Sequence, residues 1–182
     1  MTHFKLLGRQ TLHEGRMINL VVERVQYESG NESVKEIVEH PGGGVILPVF
    51  ENGEILLVQQ YRYPIRGDVL ELPAGKLDPG EDPKQCAERE LREETGYVAQ
   101  RWTHLTTLMT TPGFCDERLH IYMARELSKS PQGQSLEEGE QTIKLLRMPL
   151  VEAIAMIERG EIADGKTIVG ILLGERALRA IR

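Results

Sequence analysis

Three things are scarce in this sequence of 182 residues: cysteine, long apolar runs and excess positive charge. Two cysteines, Cys86 and Cys115, are too few for a disulfide framework or a structural zinc site. No apolar run reaches the roughly 18 residues of a membrane-spanning helix, and the N-terminal residues lack the apolar stretch of a signal peptide. The formal net charge of −6 argues against nonspecific binding to nucleic-acid backbones, because such binding requires clustered Lys and Arg. The sequence therefore predicts a cytoplasmic protein that binds neither nucleic acid nor membrane.

The rest of the composition is ordinary for a globular protein. Hydrophobic residues make up 40% of the chain and charged residues 27%, as in typical folded domains. A chain of this length buries roughly 70% of the surface that its unfolded form exposes, so a core can form without disulfides. The histidines show no metal-ligand spacing, and we interpret them as scattered surface or packing residues.

The N-terminal quarter of the chain alternates apolar and polar residues over 17–27 and again over 33–40. Both segments predict strands, and the turn signal between them predicts an antiparallel pair. The run from Pro41 to Gly44 then breaks the pattern. We interpret it as a linker; a phosphate-binding glycine loop is the alternative, but no Lys-Ser/Thr pair follows it. The expected organisation is a β extension over residues 1–42 and a larger unit over residues 43–182.

The larger unit mixes strands and helices. Residues 45–50 and 54–61 flank Asn52-Gly53, which predicts a β-hairpin with a type I′ turn. A helix is expected from Asp82 to Thr95, because Asp82 can cap its start, Pro83 suits its first position and Gly96 suits its end. The further strands are expected over 69–75, 102–111, 118–125 and 142–148, and two closing helices over 149–160 and 166–182.

Three carboxylates share one face of the expected helix, because Glu93 and Glu94 follow Glu90 by three and four residues. Like charges at such spacing destabilise a helix by roughly a few tenths of a kcal/mol. A solvated acidic face is one explanation. The Gly- and Pro-containing loop before the helix offers another, because it can bring backbone carbonyls and Glu81 against the helix start. Oxygen ligands of this kind describe a Mg²⁺ or Mn²⁺ site.

Residues 75–97, GKLDPGEDPKQCAERELREETGY, fit the pattern G-x5-E-x7-R-E-U-x-E-E-x-G-U at every fixed position, with Tyr97 in the last apolar slot. Seven fixed residue types and one apolar slot should coincide by chance only about once in 10⁹ starts. This pattern is the signature of the Nudix hydrolases, and the chain resembles that family. The resemblance implies an α/β fold, the Nudix α/β/α sandwich around a mixed sheet, here with an N-terminal antiparallel β extension.

The resemblance also implies a role for each signature residue. The implied metal ligands are Glu90 and Glu94, with Glu93 close by and the backbone carbonyl of Ala74 contributing. Arg89 and Glu81 would hold these carboxylates in position. Bound Mg²⁺, or Mn²⁺, would bridge the diphosphate of a substrate and lower the pKa of an attacking water.

Segments outside the signature resemble the ADP-ribose pyrophosphatase group of that family: QQYRYP at 59–64, ELPAG at 71–75 and TTPGFCDE at 110–117. The residues that this resemblance places at the substrate are Arg62, Glu71, Gly75 and Pro112, although Pro112 also fits an ordinary turn. The implied substrate is a nucleoside diphosphate sugar. ADP-ribose is the first candidate, and ADP-glucose and GDP-mannose are not separable from it by sequence. The N-terminal strands resemble those that swap between subunits, which implies a homodimer.

Members of this group draw their general base from a mobile acidic loop after the signature. The matching loop here is QGQSLEEGEQT at 132–142. Glu140 matches that position best, Glu138 is the alternative, and Glu137 ranks third. Such a loop could close over bound substrate.

Two other functions compete with this hypothesis. One is a Nudix hydrolase of a different nucleotide, such as a dinucleoside polyphosphate, a dNTP or coenzyme A. The other is a Nudix domain that binds a nucleotide metabolite without turnover. The four signature glutamates argue against a non-catalytic sensor, since such proteins usually lose them.

Overall fold

The computed structural model describes residues 3–136 and 138–180. The chain divides into two compact units, the first formed by residues 3–42 and 109–118 and the second by residues 43–108 and 119–180. No helix within the described ranges is long and apolar enough to cross a membrane.

The first unit is built on a three-stranded antiparallel sheet in the order β1-β2-β3. Its strands are β1 (Phe4–Glu14), β2 (Asn19–Tyr27) and β3 (Glu32–Glu39). The antiparallel pair predicted over 17–27 and 33–40 is confirmed. β1 was not foreseen, because its residues are almost all exposed and lack a buried alternate face.

Residues 109–118, which form the second part of the first unit, are hydrogen-bonded to β3 and to His40 just after it. The amide of Val38 donates to the carbonyl of Phe114 at 2.7 Å, and the amide of Asp116 donates to the carbonyl of Val38 at 3.1 Å. The amide of His40 also donates to the Asp116 carboxylate at 2.8 Å. Residues 109–118 therefore belong structurally with β3 rather than with the strands that they follow in sequence.

The second unit contains two sheets. A mixed four-stranded sheet has the order β7-β4-β9-β8, in which β4 pairs with β9 in parallel and with β7 antiparallel. An antiparallel sheet has the order β10-β5-β6. The strands are β4 (Gly43–Pro48), β5 (Glu54–Arg62), β6 (Gly67–Glu71), β7 (Ala74–Lys76), β8 (Tyr97–Met109), β9 (Arg118–Lys129) and β10 (Lys144–Pro149).

The predicted hairpin of residues 45–50 and 54–61 is wrong, because β4 and β5 lie in different sheets. A bridge between Val49 and Ile55 and a hydrogen bond from the Phe50 amide to the Glu54 carbonyl at 2.9 Å join the ends of the two segments. The turn is also not type I′, which needs two consecutive residues with positive φ. Gly53 has φ 82° while Asn52 does not, so only the glycine takes the left-handed conformation. Both strands have long fully buried runs, so their apolar pattern does not reveal which neighbour each one pairs with.

Two further expectations need correction. Gly43 and Gly44 are not part of a linker, since both are buried in β4. They are glycines because the chain is crowded there: an added Cβ at Gly44 would lie 2.9 Å from the backbone of Ala87. The single strand expected over 69–75 is two strands, β6 and β7, which belong to different sheets. Pro73 stands between them, and a proline cannot donate to a sheet ladder.

The expected helices are confirmed: α1 (Pro83–Thr95), α2 (Leu150–Glu158) and α3 (Gly165–Arg179). Asp82 caps α1 by accepting from the amides of Lys84 and Gln85, and Gly96 ends the helix at φ 72°. Local capping chemistry therefore fixes both ends of the signature helix.

Two apolar layers enclose the mixed sheet. On one side Ala87 and Leu91 of α1 pack with Ile46 and Ala124 of the sheet. The other layer is larger and joins the mixed sheet to the antiparallel sheet and to α2 and α3; its fully buried members include Leu47, Leu57, Leu72, Ile121, Met123, Ala153 and Ile171. The predicted α/β architecture with helices on both sides of a mixed sheet is confirmed.

Candidate active site

Two glycines bring α1 close to the mixed sheet. The helix packs against β4 and β7. Gly44 of β4 meets Ala87, while an added Cβ at Gly75 of β7 would overlap the carboxylate of Glu90. Any side chain at Gly75 would displace either Glu90 or the helix. The first glycine of the signature therefore lies directly against one of its principal carboxylates.

Arg89 lies at the centre of the carboxylate cluster. Its Nε and Nη2 donate to Glu81 at 2.9 and 3.0 Å, and Nη2 also donates to the carbonyl of Lys76 at 3.0 Å. Its Nη1 donates to Glu90 at 2.5 Å and to Glu93 at 3.2 Å. The hydrogen bonds from Arg89 lower the pKa of Glu81 to about 2. The Arg89 guanidinium thus links the loop before α1 to two carboxylates of that helix.

Two of the helix carboxylates are buried, with Glu90 7% exposed and Glu94 2% exposed. Burial raises the pKa of Glu90 to about 7; the Arg89 guanidinium opposes this effect, and the charges of Glu140 and Glu93 add to it. Burial also raises the pKa of Glu94 to about 8, with Glu90 and Glu140 adding to it and the Ala74 amide opposing it. The Ala74 amide donates to Glu94 at 3.0 Å. Even with Arg89 beside Glu90, both pKa values stay well above the ordinary carboxylate value.

This donor set suits a hard divalent cation. Carboxylate oxygens are preferred ligands of Mg²⁺ and Mn²⁺, and a cation between Glu90 and Glu94 would remove the penalty of ionising both. The described part of the chain contains no group of three or more His, Cys, Asp or Glu side chains already arranged around one ion position. One reason is that Glu90 and Glu93 bond to Arg89 instead. The bond from Arg89 uses Glu90 Oε1, so Glu90 could ligate an ion through Oε2 while it keeps that bond.

The acidic loop after β9 returns to the C-terminal end of α1. The Gln134 side chain donates to the carbonyl of Glu94 at 2.6 Å, and the amide of Ser135 donates to the carbonyl of Glu93 at 2.9 Å. A 3-10 turn over Glu138–Glu140 follows. The loop is therefore attached to the helix that carries the carboxylates, although it lies some forty residues later in the sequence.

The two described candidates for the general base differ in their surroundings. Glu140 is half-buried, and its charge is among those that raise the pKa values of Glu90 and Glu94. Glu138 is exposed. The third candidate, Glu137, lies outside the described residues.

Arg62 and Glu71 lie on neighbouring strands and bond to each other. The Arg62 Nε and Nη2 donate to the two Glu71 oxygens at 2.6 and 2.8 Å. The Glu71 side chain is 3% exposed, whereas that of Arg62 is 40% exposed. The bond to Glu71 raises the pKa of Arg62, and the charge of Glu94 adds to the effect. Arg62 is thus the member of the pair that faces open space, and it lies within electrostatic range of the carboxylate cluster.

Sequence reasoning missed a third partner of this pair. Lys166, at the start of α3, donates to Glu71 and lies 3.0 Å from a carboxylate oxygen of Asp164. No pattern in the sequence joins position 166 to position 71. The one local signal that could have pointed to this region is Asp164, which caps α3 by accepting from the amide of Thr167.

Pro112 lies in the first unit, while the other expected site residues lie in the second. It stands in a turn in which the amides of Phe114 and Cys115 donate to the carbonyl of Thr111 at 3.1 and 3.0 Å. The turn fits the simpler interpretation of the Pro-Gly pair, and contact of Pro112 with substrate stays a prediction.

Comparisons with known proteins identify the family of the chain. The model of the NUDIX domain matches residues 21–168. The chain is 40% identical over 167 residues to the ADP-ribose pyrophosphatase of Bacillus subtilis (strain 168), covering 92% of this chain and 90% of that protein. It is 33% identical over 145 residues to the GDP-mannose pyrophosphatase of Yersinia enterocolitica, covering 76% and 75%.

A solved structure described as an ADP compounds hydrolase shares the fold. It superposes with a TM-score of 0.84 at 22% sequence identity, and the match covers 99% of this chain and 96% of the chain in that structure. The match extends through the whole described architecture, and the family model spans the helix, the loop before it and the acidic loop after it. The chain belongs to the Nudix family.

Proposed function

We propose that this protein hydrolyses the pyrophosphate bond of a nucleoside diphosphate sugar, with ADP-ribose as the first substrate and Mg²⁺ as the metal. The observation that carries the proposal is the pair of buried carboxylates, Glu90 and Glu94, within electrostatic range of Glu140 and Arg62. A buried pair of acids costs stability unless a cation joins it. The name of the Bacillus subtilis relative supports the choice of ADP-ribose.

The chain's own residues divide the work in a definite way. Glu90 and Glu94 would hold divalent ions, with Glu93 and the Ala74 carbonyl at the margin of the site, and Arg89 and Glu81 would keep these carboxylates in place. When bound, the ions would neutralise diphosphate charge and acidify an attacking water. Arg62, anchored by Glu71, would contact a phosphate oxygen through the part of its guanidinium that stays exposed.

Glu140 is the proposed general base. A base must reach the attacking water by direct contact or through one water, and the charge of Glu140 already reaches both buried carboxylates. Glu140→Gln should lower kcat roughly 10²- to 10⁴-fold. Glu138→Gln is the matched control, since it removes the same charge from the same turn, and it should change kcat by no more than about threefold. A large loss in the control with none in Glu140→Gln would assign the base to Glu138.

The N-terminal layer is the proposed dimerisation surface. Several large apolar side chains are about half exposed in the first unit: Phe4 49%, Leu6 54%, Val34 61% and Phe114 58%. They line an open groove of about 940 Å³, and exposed apolar patches of this kind mark interaction sites. Light scattering should give twice the mass of one chain, and Leu6→Glu should give a monomer. A monomeric parent protein at micromolar concentration would contradict the proposed homodimer.

A hydrolysis panel with Mg²⁺ tests the activity. The panel compares kcat/KM for ADP-ribose, ADP-glucose, GDP-mannose, a dinucleoside tetraphosphate and a dNTP. The assay is run at neutral pH, because we propose that the protein is cytoplasmic. We expect AMP and ribose 5-phosphate from ADP-ribose, and no turnover with EDTA. If the preferred reaction releases pyrophosphate from the dNTP, the protein acts on another Nudix substrate class. Tight binding of ADP-ribose without turnover would indicate a sensor.

GDP-mannose is the second candidate, because a relative that covers three quarters of the chain is named for it. The two substrates share a diphosphate and differ in base and sugar, so the carboxylate cluster does not distinguish them. A kcat/KM at least tenfold higher for GDP-mannose than for ADP-ribose would reverse their order.

A further inference from the structure

Glu71 is shared by two cations. Arg62 bonds to both of its oxygens from β5, and Lys166 donates to one of the same oxygens from α3. The Glu71 side chain is 3% exposed and that of Lys166 is 14% exposed, so the contact between these two is little screened by solvent. The charges of Arg62 and Lys166 together outweigh the effect of burial and lower the pKa of Glu71.

The start of α3 fixes Lys166 at this place. Asp164 accepts from the amide of Thr167 at 3.0 Å and from its hydroxyl at 2.6 Å. The Thr167 hydroxyl in turn accepts from the amide of Leu72 at 2.8 Å. Thr167 is fully buried, and Leu72 directly follows Glu71 in the chain. The helix start is therefore bonded to the backbone beside Glu71, which places Lys166 opposite the Glu71 carboxylate.

The charge balance of this group depends on Lys166. Arg62 and Lys166 supply two positive charges, and Glu71 and Asp164 supply two negative ones. Because Glu71 divides its charge between two cations, it neutralises Arg62 only in part. With Lys166 made neutral, the four side chains would carry a net negative charge, and Arg62 would be fully compensated by Glu71. An anionic ligand would then be attracted less strongly.

We propose that Lys166 is a positioning residue: through Glu71 it fixes the orientation of the Arg62 guanidinium and keeps part of its charge available for the diphosphate of the substrate. The inference rests on the proposed function, because it takes a diphosphate as the group that Arg62 contacts. Lys166 itself acts at a distance from the reacting atoms. A merely structural role would be to fasten α3 to β6, and it would affect melting temperature without any dependence on Arg62.

Kinetics of ADP-ribose hydrolysis separate the two roles. Lys166→Gln should raise KM roughly tenfold with kcat within about threefold, since a lost bond to a charged group is worth about that factor. Lys166→Arg keeps the charge and should restore KM to within about threefold. Arg179→Gln is the matched control, because it removes a cation that pairs with Glu175 near the other end of the same helix. Its KM should equal that of the parent protein.

A double-mutant cycle with Arg62→Gln gives the sharper result. If Lys166 acts through Arg62, Lys166→Gln should add less than about twofold to KM once Arg62 is gone. Additive effects on KM, or a lower melting temperature with unchanged KM, would overturn the proposal.

An NMR measurement without substrate keeps the inference separate from the proposed activity. The Arg62 Nε–H signal, identified by its loss in Arg62→Lys, should be protected from exchange in the parent protein, because Nε donates to Glu71 at 2.6 Å. Lys166→Gln should shift this signal and speed its exchange, and Lys166→Arg should not. An unchanged signal in Lys166→Gln refutes the positioning role even if hydrolysis proceeds. Failure to hydrolyse any substrate with a changed signal refutes only the proposed function.

Discussion

Replacing Glu94 with glutamine should stabilise the metal-free protein while it destroys activity. Glu94 is 2% exposed and its pKa is raised to about 8, first by burial and then by the charges of Glu90 and Glu140. Because the folded state raises this pKa above its ordinary value of 4.5, the acid's contribution to the free energy of unfolding is fully present below pH 4.5. This contribution is then lost as the pH rises towards 8. The shift corresponds to an upper limit of roughly 5 kcal/mol at about 1.4 kcal/mol for each pKa unit.

Glutamine has the shape of the protonated acid and no charge to desolvate. Its carbonyl oxygen can still accept from the Ala74 amide, which donates to Glu94 at 3.0 Å. If half of the upper limit is realised at pH 8, the melting temperature should rise by roughly 5–10 °C for a chain of this size. At pH 4.5 the parent side chain is itself protonated, so the difference between the two proteins should disappear.

The assay is thermal melting followed by circular dichroism at pH 4.5 and pH 8, with EDTA or with Mg²⁺. Mg²⁺ should stabilise the parent protein at pH 8 and have little effect on Glu94→Gln, because a ligand stabilises only the state that binds it. Glu88→Gln is the control, since Glu88 lies on the same helix, is 44% exposed and pairs with Lys84 at 3.3 Å. A Glu94→Gln protein that melts below the parent protein at pH 8 without metal would refute the reasoning.

Three further outcomes are expected. Gly75→Ala should lower kcat, because the added Cβ would overlap the Glu90 carboxylate and push it aside, and it should cost at most roughly 1–3 kcal/mol in urea unfolding; unchanged activity would contradict the contact of β7 with Glu90. Glu81→Gln should lower kcat roughly 10- to 100-fold through the loss of the charged pair with Arg89, and full activity would show that this pair does not hold the cluster. Cys86 should stay unmodified by Ellman's reagent in the folded protein, because burial raises the pKa of its thiol to about 12; rapid modification would place it outside the core.

The signature helix could be predicted closely because everything that defines it is local. Asp82 caps the start of α1 and Gly96 ends it, and both signals stand within one turn of the positions they control. The charged cluster is local too, since Arg89 reaches Glu93 one turn along the same helix. Side-chain spacing on a helix follows directly from residue number, and so the carboxylate face was accessible to sequence reasoning.

The partners of the strands could not be predicted in the same way. β4 pairs with β9, whose residues lie 76 positions later (Gly43 opposite Leu119), and the apolar run in β4 would fit either sheet equally well. A strand buried on both faces has no polar side to fix its neighbour. The same limit hid the contact of Lys166 with Glu71, which depends on where α3 returns to β6. The order of the strands, unlike the helix, is set by contacts distant in sequence.

The residues that break the rules of stable folding are the ones that sequence reasoning located best. A helix gains nothing from placing Glu90 and Glu94 one turn apart, and burying both raises the cost further, as their shifted pKa values show. Arg89 and the Ala74 amide offset this cost only in part, and the rest is left for a ligand from outside the chain to offset. A divalent cation does so by electrostatics alone, before any substrate arrives. The instability of the metal-free site and its capacity for catalysis would then have one origin, which is why a single Glu-to-Gln change should move stability and activity in opposite directions.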